Sequence, residues 1–180
     1  MSQIDQDIRS YLQSLIRNIP DFPEEGIQFK DITPLLQDPD ALQLAPLQLV
    51  KPFRDLKIDY VAGIESRGFM FGPHMASMLD AGFIAVRKPG KLPYDVVSSE
   101  YELEYGTDEL QMHSDSIGKG DNVLIHDDLI ATGGSSQAAA DLVDKLNGNV
   151  VGYSFIMELS FLEGRKKIEK HGTVHSLFHY

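Results

Sequence analysis

A chain of 180 residues with 27 acidic and 16 basic side chains, a formal charge of −11, offers no basic stripe able to track nucleic acid, and its charge favours solubility over a polyanionic partner. The absence of cysteine excludes disulfides, thiolate zinc sites and cysteine nucleophiles together, and it suits a reducing, cytoplasmic setting. No apolar run reaches membrane-spanning length, and the polar start "MSQIDQDIRSYLQSLIRNI" lacks the apolar core of a signal peptide, so the expectation is a single domain over 1–180 with neither membrane nor nucleic acid as partner.

Along the chain, Ile4, Ile8, Leu12, Leu15, Ile16 and Ile19 recur at spacings of three and four, which predicts a helix over 4–19 ended by Pro20. "DFPEEGIQFKDITPLL" then carries Pro23, Gly26 and Pro34 and reads as an irregular arm with brief extended pieces, followed by a second helix over about 40–55. The rhythm changes after that. "DYVAGI" (59–64), "GFIAVRK" (82–88), "DNVLIHD" (121–127) and "VVGYSFI" (150–156) are short, β-rich and almost continuously apolar, as strands buried on both faces should be. Helical segments lie between them, "FMFGPHMASML" after the first and "SSQAAADLVDKL" after the third, the latter stopped by Asn147 and Gly148. The alternation predicts an α/β fold with a parallel, doubly wound sheet. Residues 91–116, "KLPYDVVSSEYELEYGTDELQMH" with its flanks, mix alternation with turn formers and predict a flexible loop leading into an antiparallel hairpin, a common form for a lid.

In open α/β sheets ligands gather at the carboxyl ends of strands. Two turns there have chemistry suited to an anion. "ESRG" after the first strand supplies Arg67 and the close approach that Gly68 permits. "ATGGSS" after the third supplies a nest at Gly133 and Gly134, with hydroxyls from Thr132, Ser135 and Ser136. Neither has the Gly-Lys-Ser/Thr of a nucleotide-binding P-loop, and each alone reads as well as plain punctuation. Asp127 and Asp128 are more informative. Beside a bound phosphate a carboxylate pair repels the ligand unless it faces hydrogen-bond donors or a cation, and the vicinal hydroxyls of a ribose 5-phosphate meet that need. "DD" alone reads equally as a strand end whose acidic residues cap the turn.

The stretch "VLIHDDLIATGGSS" resembles the phosphoribosyl-pyrophosphate motif of the type I phosphoribosyltransferases: apolar strand, two acidic residues, two apolar residues, small Thr/Gly loop. "DFPEEGIQFKDITPLL", "GIESRGFMFG", "VRKPGKLP" and "EYELEYGTDELQMH" occur in the order of the members that act on adenine, so the resemblance covers about 20–165. It implies a type I phosphoribosyltransferase fold, with an N-terminal helix and base-binding hood over 1–35 and a core over 36–180. The reaction it implies joins adenine to phosphoribosyl pyrophosphate, giving AMP and pyrophosphate, with magnesium and in a homodimer. By position, Asp127 and Asp128 would take the ribose hydroxyls, and Ala131, Thr132, Gly133, Gly134 and Ser135 the 5-phosphate. Glu65, Ser66, Arg67 and Gly68 would form the pyrophosphate loop, in which the family often has a non-proline cis peptide, with Arg87, Lys88 and Lys91 as further cations. Glu104 would be the base for the N9 proton, with Tyr105 helping to position it. Phe29 would stack on adenine, with Gln28 and Lys30 beside it and Leu159 on the other face.

Enzymes of this fold that act on hypoxanthine or guanine carry an aspartate where this chain has Ala131, so the resemblance implies a 6-aminopurine. Two alternatives of different class stand beside it, a 6-oxopurine phosphoribosyltransferase and a non-catalytic regulator that senses phosphoribosyl pyrophosphate. Ala131 weighs against the first, and the acidic charge and lack of spare length against the second. His126 departs from the family, where an apolar residue is usual. A metal site with Asp127 and Asp128 is disfavoured, because successive strand residues face opposite ways.

Overall fold

The computed structural model describes residues 3–102 and 106–180. The chain forms two compact units, Met1–Gln48 and Leu49–Tyr180. The first holds α1 (Gln3–Ser14), β1 (Arg17–Pro20), β2 (Gln28–Asp31), α2 (Thr33–Gln37) and most of α3 (Pro39–Val50). Thus the first helix stops at Ser14 instead of running to Ile19. From Arg17 the backbone hydrogen-bonds to β2, with Arg17 opposite Asp31 and Pro20 opposite Gln28. The Arg17 guanidinium closes that end on Asp31, at 3.1 Å from Nε and 2.6 Å from Nη2. Apolar residues at 16 and 19 satisfy a strand as well as a helix, and the distant partner strand decides between them. Asp31 also accepts from the amide and hydroxyl of Thr33 at the start of α2. The Thr33 hydroxyl and Arg17 outweigh burial and hold its carboxyl at about 2.

The second unit is built on β3 (Tyr60–Ile64), α4 (Gly68–Met78), β4 (Gly82–Val86), the hairpin β5 (Val96–Glu102) and β6 (Thr107–His113), β7 (Asn122–Ile130), α5 (Gly134–Lys145), β8 (Asn149–Glu158), α6 (Arg165–Ile168) and β9 (Thr173–His179). Five strands form one sheet in the order β4-β3-β7-β8-β9, every neighbouring pair parallel. Continuous apolar runs are what such a sheet requires: Val61, Ala62, Val123, Leu124, Ile125, Phe155 and Ile156 are all fully buried. Ala138, Ala139 and Ala140 on α5 are buried with Leu142 and Val143, and their small side chains let the helix lie close to the strands. The hairpin expected within 91–116 is present, with Val96 opposite His113 and Glu102 opposite Thr107.

Two features exceed the expectation. β7 runs through Asp127 and Asp128 to Ile130, paired with β8 as far as Glu158, so the aspartates lie within a strand and not at its end. A further strand, β9, comes from "TVHSLFH", where His175 and Ser176 interrupt the apolar pattern that marks the other strands. Among the described residues no helix is long and apolar enough to cross a membrane.

Strand order also places the site. From β3 the chain crosses through α4 to β4 on one side, whereas from β7 it crosses through α5 to β8 on the other. The carboxyl ends of β3 and β7 therefore flank the switch point of the sheet, where the diverging connections leave a crevice.

Candidate functional site

The loop after β3 reaches α4 through Glu65, Ser66 and Arg67, and the Glu65–Ser66 peptide is cis. This loop lies against β7: a Cβ on Gly68 would come within 2.7 Å of the His126 carbonyl oxygen, so only a glycine lets the two strand ends approach this closely. After β7, Ala131 and Thr132 lead to Gly133, whose left-handed φ of 78° turns the chain into α5. The first amides of that helix have no carbonyl partners within it and are free to meet an anion.

Together these elements enclose a cavity of about 250 Å³, lined by Arg67, Tyr101 and the run from Asp127 to Ser136. Of the four cations singled out in the sequence, Arg67 is the one that lines it. Its Nε lies 3.1 Å from Asp128 Oδ2. Asp128 is 2% exposed and Asp127 half-buried, and the amide of Asp128 donates to Asp127 Oδ1 at 2.9 Å. Burial, then the charge of Asp128, raises the Asp127 carboxyl well above the ordinary range. Burial raises Asp128 as well, with the Arg67 charge opposing it. Two crowded carboxyls that resist carrying two charges make a site that gains from a ligand donating to them.

Arg87 and Lys88 follow the end of β4. Glu65 accepts from Arg87 Nε and from the amide of Lys88, each at 3.1 Å, and Arg87 Nη1 donates to the Lys91 carbonyl at 3.1 Å. Lys88 turns to the hairpin, where its ammonium donates to the Tyr101 hydroxyl at 2.9 Å and pairs with Asp108. The remaining candidates belong to other elements. Gln28, Phe29 and Lys30 are on β2 of the first unit, with Phe29 edge-on to Phe22 at 5.2 Å and Gln28 accepting from Asn18 at 2.7 Å. Leu159 follows β8, half-buried, its amide bound to the Ile130 carbonyl at 3.0 Å. Glu104 and Tyr105 lie outside the described residues. Sequence reasoning missed Tyr101 as a wall of the cavity, since in a hairpin its alternation says only that it faces one side.

His126 is fully buried on β7, with Nδ1 2.8 Å from the Ser154 carbonyl on β8. A carbonyl only accepts, so Nδ1 carries a proton and donates it. Burial lowers its pKa to about 4. Fully buried and bound to the neighbouring strand, this histidine is a core residue. Because its folded pKa lies below the ordinary 6.5, the unfolded chain binds the extra proton first. Stability present above pH 6.5 is therefore lost as pH falls towards 4, by about 1–3 kcal/mol at the low end. His126→Leu is expected to flatten this acid arm in melting temperatures measured from pH 7 to pH 4; an unchanged arm would place the acid lability elsewhere.

With the geometry in place, comparison with known proteins decides the family. The profile of the phosphoribosyl transferase domain matches residues 47–175. Adenine phosphoribosyltransferase of Flavobacterium johnsoniae is 57% identical over 160 residues, covering 89% of this chain and 94% of that protein. The chain belongs to the adenine phosphoribosyltransferase family. A crystal structure of the family member from Rhodothermus marinus superposes with a TM-score of 0.92 at 51% identity, over 97% of this chain and 99% of that one. The Saccharomyces cerevisiae member, crystallised with an imino-altritol bisphosphate and adenine, gives a TM-score of 0.90 at 43% identity, covering 96% of this chain and 99% of its own. The fold is accordingly that of the type I phosphoribosyltransferases, a central parallel sheet flanked by helices.

Proposed function

We propose that this chain transfers the 5-phosphoribosyl group of phosphoribosyl pyrophosphate to N9 of adenine, releasing pyrophosphate and forming AMP. The observation that carries this reading is the single cavity in which paired carboxylates adjoin a small-residue loop at a helix N-terminus. Asp127 and Asp128 are acceptors for the two ribose hydroxyls, and the amides and hydroxyls of Ala131, Thr132, Gly133, Gly134 and Ser135 donate to the 5-phosphate.

As N9 bonds to C1 of the ribose, the C1–oxygen bond breaks towards pyrophosphate, so positive charge grows on the sugar and negative charge on the leaving oxygens. Arg67, which lies beside Asp128 and lines the cavity, is assigned to the leaving oxygens with the amides of Ser66 and Gly68. Glu65 is acceptor-only and holds Arg87 and the Lys88 amide, so its part is to orient those groups, with Lys91, for the pyrophosphate. Glu104 is assigned the N9 proton and Tyr105 its positioning. Gln28, Phe29, Lys30 and Leu159 are assigned to adenine, a flat ring with a polar edge that suits an aromatic and an aliphatic contact.

The hard carboxylate oxygens of Asp127 and Asp128 are of the kind that suits magnesium, and the ion would be held near them through substrate and water. When bound, magnesium neutralises charge on the leaving pyrophosphate. A cytoplasmic homodimer completes the reading. Exposed Met70 and Met78 on α4 are apolar surface that a second copy would cover.

The test is a panel of bases given with phosphoribosyl pyrophosphate and magnesium. Pyrophosphate release is expected with adenine, and on the order of 10⁴-fold less with hypoxanthine or guanine, the scale by which a site rejects a base that leaves its buried polar groups unpaired. Turnover with the 6-oxopurines alone would overturn the adenine assignment, and turnover with no base would overturn the enzyme.

A further inference from the structure

We propose that Gly164 is a positioning residue for the 5-phosphate loop, which it buttresses from outside the cavity. A Cβ on Gly164 would lie 2.2 Å from the Ala131 carbonyl oxygen, 2.7 Å from the Gly133 nitrogen and 2.8 Å from the Thr132 carbonyl carbon. The contact is reciprocal, since a Cβ on Gly133 would lie 2.5 Å from the Gly164 oxygen. Every one of these neighbours is backbone, so no side chain can swing aside to make room. Gly164 has φ −57° and ψ −28°, a conformation open to any residue, and glycine there serves the contact and not the turn.

The buttress is anchored. Arg165, the next residue, donates to Glu158 from Nε at 3.0 Å and from Nη2 at 2.5 Å, and to the Val174 carbonyl from Nη1 at 2.8 Å. Glu158 is 7% exposed, accepts a further hydrogen bond from Ser176 at 2.9 Å, and stands opposite Ile130 in the β7–β8 pairing. Burial works against its charge, but Arg165 and Ser176 outweigh it and keep the carboxyl below the ordinary range. Gly164 is thus tied to the end of β8 and the start of β9 and pressed on the residues that follow Ile130. On its other side the loop meets the hairpin, where a Cβ on Gly134 would come 3.1 Å from Tyr101 Cδ2. Amides that bind a phosphate act only at fixed spacing, and a shift of about 1 Å can cost on the order of 100-fold.

This inference rests on Ala131–Ser135 being the 5-phosphate cradle, and ligand pairs separate the two ideas. In the full-length Gly164→Ala variant, the Kd for ribose 5-phosphate and for AMP is expected to rise by about 10-fold or more, while magnesium pyrophosphate, held at the Glu65–Gly68 loop, stays within about 2-fold. The KM for phosphoribosyl pyrophosphate should rise with kcat within about 3-fold, because the reacting atoms are untouched. Wild-type protein that bound no ribose 5-phosphate would overturn the cradle and this proposal with it. Normal wild-type binding with unchanged ribose 5-phosphate affinity in the variant, or equal weakening of both ligands, would overturn the buttress alone. Should Gly164→Ala fail to fold, the double variant Glu158→Gln, Arg165→Met removes the anchor without leaving a buried charge, and the same split between the two ligands is expected. Failure of both variants to fold would make the contact structural and overturn the positioning role.

Discussion

Replacing Asp127 by asparagine is expected to raise the melting temperature at pH 8 and nearly abolish turnover in the same protein. The two effects have one origin. Asp127 is half-buried beside Asp128, which is 2% exposed, and burial followed by that neighbouring charge lifts its pKa well above the ordinary range. A carboxyl whose folded pKa is raised favours the folded state below its unfolded value, near 4, and loses that contribution as pH rises through the folded value. At pH 8 the unfolded chain ionises this carboxyl freely, whereas folding must crowd its charge against Asp128 or retain its proton, and asparagine removes that cost. Relief of about 1 kcal/mol corresponds to about 2–4 °C in a chain of this size, and the gain should vanish near pH 4, where the wild-type carboxyl is protonated too. Activity moves the other way. Asparagine puts a donor in place of one of the two oxygens that would accept from the ribose hydroxyls, and it loses a charge that would stabilise the positive charge growing at C1. Hydrogen bonds to charged groups are worth about 1.5–3 kcal/mol, so kcat/KM should fall on the order of 10²-fold. Thermal scans at pH 8 and pH 4 beside initial rates test both halves. An unaltered melting temperature at pH 8 would remove the charge crowding, and retained turnover would remove Asp127 from the ribose site.

Much of this arrangement is written locally in the chain. The runs at 59–64, 82–88, 121–127 and 150–156 became β3, β4, β7 and β8 because a strand buried on both faces needs apolar residues at nearly every position, a demand few other structures make. "ATGGSS" forms the turn into α5 because Gly133 adopts a left-handed conformation that glycine supplies without strain. The departures have non-local causes. Arg17–Pro20 leaves the helix for a strand because Asp31 and β2 lie opposite, and β9 hides behind His175 and Ser176. Asp127 and Asp128 sit inside β7 because the neighbouring β8 continues to Glu158, beyond the last residue of its own apolar run. Within the site, the chemistry of single residues was legible and their mutual approach was not. Nothing near "ELSFLEGR" announces that Gly164 touches Ala131, since the contact depends on how Arg165 is clamped on the last residue of β8 and the start of β9.

Truncating Arg67 is expected to have an effect as large as any aspartate substitution, through two routes that lysine separates. The guanidinium is about a third exposed, lines the cavity, and lies 3.1 Å from Asp128 Oδ2. On its proposed role, Arg67→Gln removes the positive charge assigned to the leaving pyrophosphate, and kcat/KM should fall on the order of 10²–10³-fold. It also takes from Asp128 the charge that opposes the upward pull of burial, so that carboxyl must rise further. A base or acceptor needed in its ionised form then becomes available only at higher pH, and the acid limb of the kcat/KM profile should move upward. Arg67→Lys keeps a charge but not the planar fork, so it should leave the acid limb near the wild-type position while restoring only part of the rate. The pH profile discriminates where a single rate does not. If Arg67→Gln lowered the rate with the acid limb unmoved, Arg67 would serve the pyrophosphate alone. If lysine restored the full rate, a point charge would suffice and the directional fit of the guanidinium would drop out of the mechanism.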